Sequence, residues 1–219
     1  MGQPLTAGRF ITFEGGEGAG KTTQIALLAA VLERHGIAAL TTREPGGSPG
    51  AEEIRRLLLT GEPERWDAES EVLLMVAARR SHLVATVWPA LAAGRLVLCD
   101  RFADSTEAYQ GWGRGLARES LMALHRLIAA DFMPDLTFIL DLPVGDGLAR
   151  ARARPAAVTQ GADRFERMAP AFHERMRQGF LDIARREPER CVLIDARPDQ
   201  ATVHAAVLVA LRERLTLAI

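Results

Sequence analysis

The sequence predicts a doubly wound α/β domain, a parallel sheet covered by helices on both faces. Three observations carry this. Five short runs, "RFITFE" (9–14), "AALTTR" (38–43), "RLVLCD" (95–100), "LTFILDL" (136–142) and "CVLIDA" (191–196), are apolar on both faces, as strands lying between two helical layers must be. Longer stretches with helical periodicity fall between them, so strand and helix alternate along the chain. A glycine-rich turn, "GGEGAGKTT", then joins the first strand directly to a helix.

In chain order, helices are expected near 20–35, 49–60, 68–93, 104–110, 118–130, 145–154, 170–187 and 198–215. Gly36 should close the first, Ser48 and Asp67 should cap the second and third, and Pro89 should interrupt or kink the third. No repeat or linker divides the chain, so one domain is expected over 9–219. Residues 1–8 read as a loose tail, and "RPAAVTQGADR" (154–164) as the most mobile stretch.

A net charge of −1, with charges dispersed along the 219 residues, argues against a bulk polyanion such as nucleic acid as partner. No apolar run approaches the ~20 residues a membrane span needs. The N-terminal stretch lacks the apolar segment of a secretion signal. The two cysteines, Cys99 and Cys191, match no metal spacing and fall in strand-like runs. A cytoplasmic protein is expected.

The turn matches G-x-x-x-x-G-K-[ST] in the right context, after a strand and before a helix. Such a loop aims backbone N–H groups and a helix N-terminus at phosphate oxygens. The expected ATP-binding residues are therefore Gly15, Gly16, Glu17, Gly18, Ala19, Gly20, Lys21, Thr22 and Thr23. Lys21 supplies a point charge for the β- and γ-phosphates, and the Thr22 hydroxyl can ligate Mg²⁺. Asp100 ends the third strand, where an acid can hold Mg²⁺ directly or through water, and Arg101 follows it at the edge where α/β sheets bind ligands. Thr106, Tyr109 and Gln110 share one helical face and offer a hydroxyl, an aromatic wall and an amide, a set suited to a nucleoside. Arg150 and Arg154 share another face and Arg152 points away; a solvated basic helix would look the same.

Together with the loop, "REPGGS" (43–48), "LLMVAARRSHL" (73–83), "DRFADSTEAYQGWGRG" (100–115) and "ARARARPAAVTQGADRFE" (149–166) give a chain that resembles thymidylate kinases of the bacterial type over about residues 9–196. The resemblance implies the P-loop nucleoside monophosphate kinase fold, a five-stranded parallel sheet flanked by helices, with a mobile lid over about 145–166. It implies transfer of the γ-phosphoryl group of Mg-ATP to dTMP, and a homodimer through helices near 49–60, 68–93 and 104–130, where Leu57, Leu58, Val72 and Leu83 are apolar enough to serve.

By the same resemblance, Arg101 is catalytic and also binds the acceptor, and the lid supplies Arg150 and Arg154 as transition-state cations. Asp163, Arg164 and Glu166 would close the lid and pair with its arginines. Glu17 would reach the 3′-hydroxyl of the acceptor sugar, its alternative being a cap on the first helix. Arg43 would meet the acceptor phosphate and Pro45 would shape the loop, with Glu44–Pro45 a candidate cis bond. Arg79, Thr106 and Gln110 would approach the base, and Tyr109 the sugar near C2′. Met75 stands where the family usually stacks an aromatic on thymine, which leaves the preference for thymine over uracil in question. Glu14 reads as structural or as a partner of a Mg²⁺-bound water, and is assigned to neither. Two rival readings stay open: a kinase for another nucleoside monophosphate or small acceptor, and a nucleotide-driven ATPase or switch without one.

Overall fold

The computed structural model describes residues 8–153 and 164–216. Five strands form one parallel sheet: β1 (Arg9–Gly15), β2 (Ala39–Arg43), β3 (Leu96–Asp100), β4 (Leu136–Asp141) and β5 (Cys191–Asp195), in the spatial order β2-β3-β1-β4-β5. β1 is central, pairing Ile11 with Leu98 on one side and with Leu136 on the other. The strands turn functional residues outward at their carboxyl ends, where β1 runs into the glycine loop and β3 into Arg101.

The helices are α1 (Lys21–Arg34), α2 (Pro49–Leu59), α3 (Ala68–His82), α4 (Trp88–Ala92), α5 (Ala103–Thr106), α6 (Arg118–Ala129), α7 (Val144–Arg152), α8 (Pro170–Arg186) and α9 (Gln200–Leu215). Their bounds follow the periodicity closely. Gly36 closes α1 at φ 71°, its N–H bonded to Glu33 O while Ile37 N–H reaches Leu32 O. Ser48 and Asp67 cap α2 and α3 through Ala51 N and Ser70 N.

Two expected helices differ in their winding. The 68–93 stretch passes through a π-helical turn, Leu83–Val87, before α4. Pro89 has no N–H, and its ring would crowd the carbonyl four residues back in an α-turn. Widening the preceding turn, with Trp88 N–H bonded to Leu83 O, relieves that contact without breaking the rod. The 104–110 stretch starts as α5 and continues as a second π-helical segment, Glu107–Gly113, closed by Arg114 N–H to Tyr109 O at 3.0 Å.

The core has two sides. Ile11, Phe13, Phe138 and Leu140 face α1 and α9. Phe10, Val97 and Cys99 meet Leu83, Val87 and Phe102 on the other side, and Ile139 meets Tyr109, Phe172 and Phe180. Beneath this second layer Thr12 and Thr137 bond each other at 2.8 Å, and Arg190 forms a bidentate pair with Asp104 at 2.7 and 2.9 Å. Of the four residues expected at a dimer face, Leu58, Val72 and Leu83 belong to the core instead. Only Leu57 is exposed, because the periodicity that marks an apolar face does not say what covers it. Among the described residues no helix is long and apolar enough to cross a membrane.

Candidate active site

One cleft of about 890 Å³ crosses the carboxyl ends of the strands, near the top of the ~300–1,000 Å³ range of small-molecule sites. Its first half is the glycine loop. Gly15, Gly18 and Gly20 have φ of 128°, 69° and 92°, values that only glycine adopts without strain, and Gly20 leads into α1 with no side-chain cap. Glu17 is therefore not the helix cap. Glu17, Gly18, Gly20, Lys21, Thr22 and Thr23 line the cleft, while Gly15 and Gly16 lie beneath the loop and Ala19 is buried. Lys21 Nζ donates to the carbonyls of Gly15 and Gly16 at 3.2 and 2.9 Å. Burial, reinforced by Arg101, pushes its pKa down to about 8 against the pull of Asp100, Glu17 and Glu14.

Thr22 Oγ1 donates to Asp100 Oδ2 at 2.6 Å, so the two expected metal ligands are neighbours at the start of α1. They form a pair of hard oxygen donors, and the described residues hold no cluster of three or more His, Cys, Asp or Glu that could cage a metal. Such a sparse donor set fits Mg²⁺, which keeps water and takes phosphate oxygens for its remaining positions.

Arg101 lies between the two halves. It is a non-glycine residue at φ 75°, held there by Arg101 N–H to Phe13 O at 3.0 Å. Its Nη1 reaches Gly15 O at 3.0 Å and Ser105 Oγ at 3.1 Å; its Nη2 reaches Glu17 Oε1 at 2.9 Å. Glu14, without a role in the sequence, acts here: fully buried, it accepts from Phe102 N at 2.7 Å and Ser105 Oγ at 2.5 Å, clamping the segment that carries Arg101. Burial first, then Asp104, push Glu14 up to about 8.

The second half is built from α2, α3 and the α5–π segment. Tyr109 O–H donates to Glu17 Oε1 at 2.6 Å, with the Arg101 guanidinium 4.9 Å above its ring. Glu17 thus turns its carboxylate toward this second half of the cleft. Arg79, 3% exposed, donates to Glu44 Oε2 at 2.7 Å, Thr106 Oγ1 at 2.8 Å and Phe102 O at 3.1 Å. Burial works against the Glu44 carboxylate, but Arg79 and His82 outweigh it and hold its pKa below the ordinary value. Pro45 is buried behind a cis Glu44–Pro45 bond, as expected. Arg43 pairs with Glu52 at 3.0 Å and lines the cleft. Met75 lines it too, packed against the cluster of Tyr109 and Phe165. Thr106, Tyr109 and Gln110 all face the cleft although π winding replaces α after Thr106.

The segment expected as a lid falls partly among the described residues. Arg150 lines the cleft beside Gly18, its guanidinium on Ala196 O and Arg197 O at 3.0 and 3.3 Å. Arg152 is exposed and does not line the cleft; Arg154 and Asp163 lie outside the described residues. Glu166 lines the cleft. Arg164 corrects its expected pairing with lid arginines. It is fully buried and binds Glu71 at 2.7 Å and the carbonyls of Leu58, Glu62 and Pro63.

Sequence reasoning missed Glu71, Glu44, His82, Ser105 and Arg55, whose Nη1 holds Pro45 O at 2.7 Å. One signal was available for the first. Glu71, Met75 and Arg79 recur every four residues along α3, so charges fall on a face otherwise built for burial.

The thymidylate kinase family model matches residues 13–207. The thymidylate kinase of Caulobacter vibrioides is 53% identical over 213 residues, 97% of this chain and 100% of that protein. That of Ruegeria pomeroyi is 53% identical over 201 residues, 91% and 92% of the two chains. A crystal structure of thymidylate kinase from Ehrlichia chaffeensis superposes with a TM-score of 0.74 at 37% identity, covering 93% of this chain and 98% of that one. The likeness runs from inside the first strand to the last helix and embraces both halves of the cleft; the chain belongs to the thymidylate kinase family.

Proposed function

We propose that the protein transfers the γ-phosphoryl group of ATP to the 5′-phosphate of dTMP, giving dTDP and ADP. The observation that supports this reading is Arg101, held by Gly15 O and Ser105 Oγ in a cleft lined on one side by the glycine loop and on the other by Arg79, Thr106, Tyr109 and Gln110. Little covalent chemistry is asked of the protein; it must set two phosphates in line, neutralise charge and exclude water. The loop backbone and Lys21 hold the donor. Arg43 and Arg101 bring the acceptor phosphate to it, and Glu17 takes the acceptor sugar hydroxyl. Thr22 and Asp100 would hold Mg²⁺, which neutralises charge on the phosphates. Arg150 and Arg154 bring cations to the transferring group as the lid closes.

The same reading takes the setting as cytoplasmic and the assembly as a homodimer through the helices over 49–60, 68–93 and 104–130. Leu57, Leu73, Val84, Trp112 and Leu127 are the exposed large apolar residues over those stretches, and sedimentation of the intact protein tests the assembly.

The deciding experiment compares kcat/KM for dTMP, dUMP, UMP and CMP at fixed Mg-ATP. A dominant dTMP value is expected; preference for another acceptor, or ATP hydrolysis indifferent to dTMP, overturns the reading. For the lid, Arg154→Ala should lower kcat at least ~10²-fold with KM for ATP moving only a few-fold, since a preorganised cation acts on the transition state. Arg152→Ala should change little. The reverse pattern would assign the cation to Arg152.

A further inference from the structure

Glu71 has no exposed surface, yet its carboxylate ends beside a residue of the cleft. One oxygen accepts from Gln110 Nε2 at 2.9 Å; the other accepts from Arg114 Nη2 at 3.1 Å and pairs with Arg164 Nη2 at 2.7 Å. A carboxylate between two guanidiniums can only accept, whereas a side-chain amide has one donating and one accepting end. The nitrogen of Gln110 must therefore face Glu71, and its oxygen must face away. Gln110 lines the cleft, and Oε1 takes no hydrogen bond from any described residue.

Arg79 lines the same cleft one turn of α3 beyond Met75; Thr106 Oγ1 and Phe102 O hold its Nη2 and Glu44 holds its Nε, which leaves the Nη1 donors to face the cleft with Gln110 Oε1. An acceptor next to a donor complements an N–H next to a carbonyl, the imide edge of thymine or uracil. Cytosine presents a bare ring nitrogen and an amino group instead, setting lone pair against lone pair and donor against donor. Rotation about the last torsion of glutamine is soft. Unanchored, the amide could present either end and the selectivity would fade.

We propose that Glu71 is a positioning residue: it makes Gln110 an obligate acceptor and so fixes the preference for an imide base over cytosine. The proposal rests on the thymidylate reading of the acceptor. The test uses Glu71→Asp, which keeps a negative charge before Arg114 and Arg164 but draws the carboxylate back from Gln110, and Gln110→Met, which removes both amide ends at similar size. The kcat/KM ratio of dTMP to dCMP is expected to fall about tenfold or more in each, and no further in the double variant, as a buried site loses discrimination when its polar partner is lost. The ratio of dTMP to dUMP should hold, because both bases carry the imide edge; a merely loosened pocket would move both ratios. Folded Glu71→Asp with the wild-type dTMP-to-dCMP ratio overturns the proposal, as does a parallel loss against dUMP. Should Glu71→Asp fail to fold, Gln110→Met decides: an unchanged ratio overturns, and a fall confined to dCMP supports. Wild-type protein inactive on dTMP would instead sink the acceptor reading itself.

Discussion

Lys21 shows how burial and ligand binding are linked at a single side chain. With its pKa pushed down to about 8 by burial, roughly half of the ligand-free protein carries a neutral lysine at pH 8. A triphosphate favours the charged form, so the bound pKa lies higher. Binding should then take up protons near and above pH 8 and almost none at pH 6, and affinity should fall as pH rises through 8. Calorimetry of Mg-ATP binding in two buffers of different ionisation enthalpy reads the uptake, which should vanish in Lys21→Met; proton release at pH 8 would point to another group. Tyr109 gives a second expectation. Its ring is walled by Phe165, Phe172 and Phe180, and its hydroxyl holds Glu17. If the ring excludes a 2′-hydroxyl, Tyr109→Phe should keep the preference for deoxy-acceptors while weakening acceptor binding, because Glu17 Oε1 loses one of the two groups, Tyr109 and Arg101, that aim it. Tyr109→Ala should relax the preference; equal discrimination by the Ala variant would remove the ring from this role.

At the level of elements, α7 carries two glycines with opposite duties. A Cβ at Gly147 would lie 2.4 Å from Glu17 O, and one at Gly18 would lie 2.1 Å from Gly147 O, so α7 and the glycine loop touch backbone to backbone. Gly145, two residues earlier and so on the opposite side of the helix, has nothing within 4 Å. Alanine in a helix gains up to ~1 kcal/mol over glycine where it fits. Gly145→Ala should therefore be neutral or stabilising with activity kept, whereas Gly147→Ala should displace Glu17, lowering Tm and raising KM for the acceptor. Matching Tm values for the two would refute the contact. Elements were also the most legible scale. Apolar runs placed all five strands and most helix ends to within a residue or two, since burial beneath two layers imposes its pattern locally; the exception is the 104–110 helix, which turns π after Thr106 and runs on to Gly113. The π turns were not legible. Thr106, Tyr109 and Gln110 keep a spacing that suits α and π winding alike, and the widening at Leu83–Val87 depends on what Pro89 excludes.

Across the whole molecule, the glycine loop, Asp100–Arg101 and the cleft face of Thr106, Tyr109 and Gln110 are legible because each is a short contiguous string. Their supports are not. Glu71 meets Arg164, Arg190 meets Asp104, and Glu44 meets His82 across 38 to 93 positions of chain, and no local pattern announces such a partner. The same blindness sent Leu58, Val72 and Leu83 to a surface they do not reach. The two buried thiols, for their part, act as timers. Attack on a reagent needs an exposed thiolate. Burial drives the Cys99 pKa far upward and that of Cys191 to about 12, so modification must wait for the fold to open. Cys191 begins the edge strand β5, while Cys99 sits in β3 between β2 and β1 with its Sγ on Arg101 O. Under a thiol-reactive dye, Cys191 should label first, at the rate of edge fraying, and Cys99 later, at the rate of breaking the sheet centre. A ligand gripping Arg101 should slow the second phase more than the first. Equal rates would mean that the sheet opens as one unit, and the gap between them otherwise measures how much of the fold survives when its edge lets go.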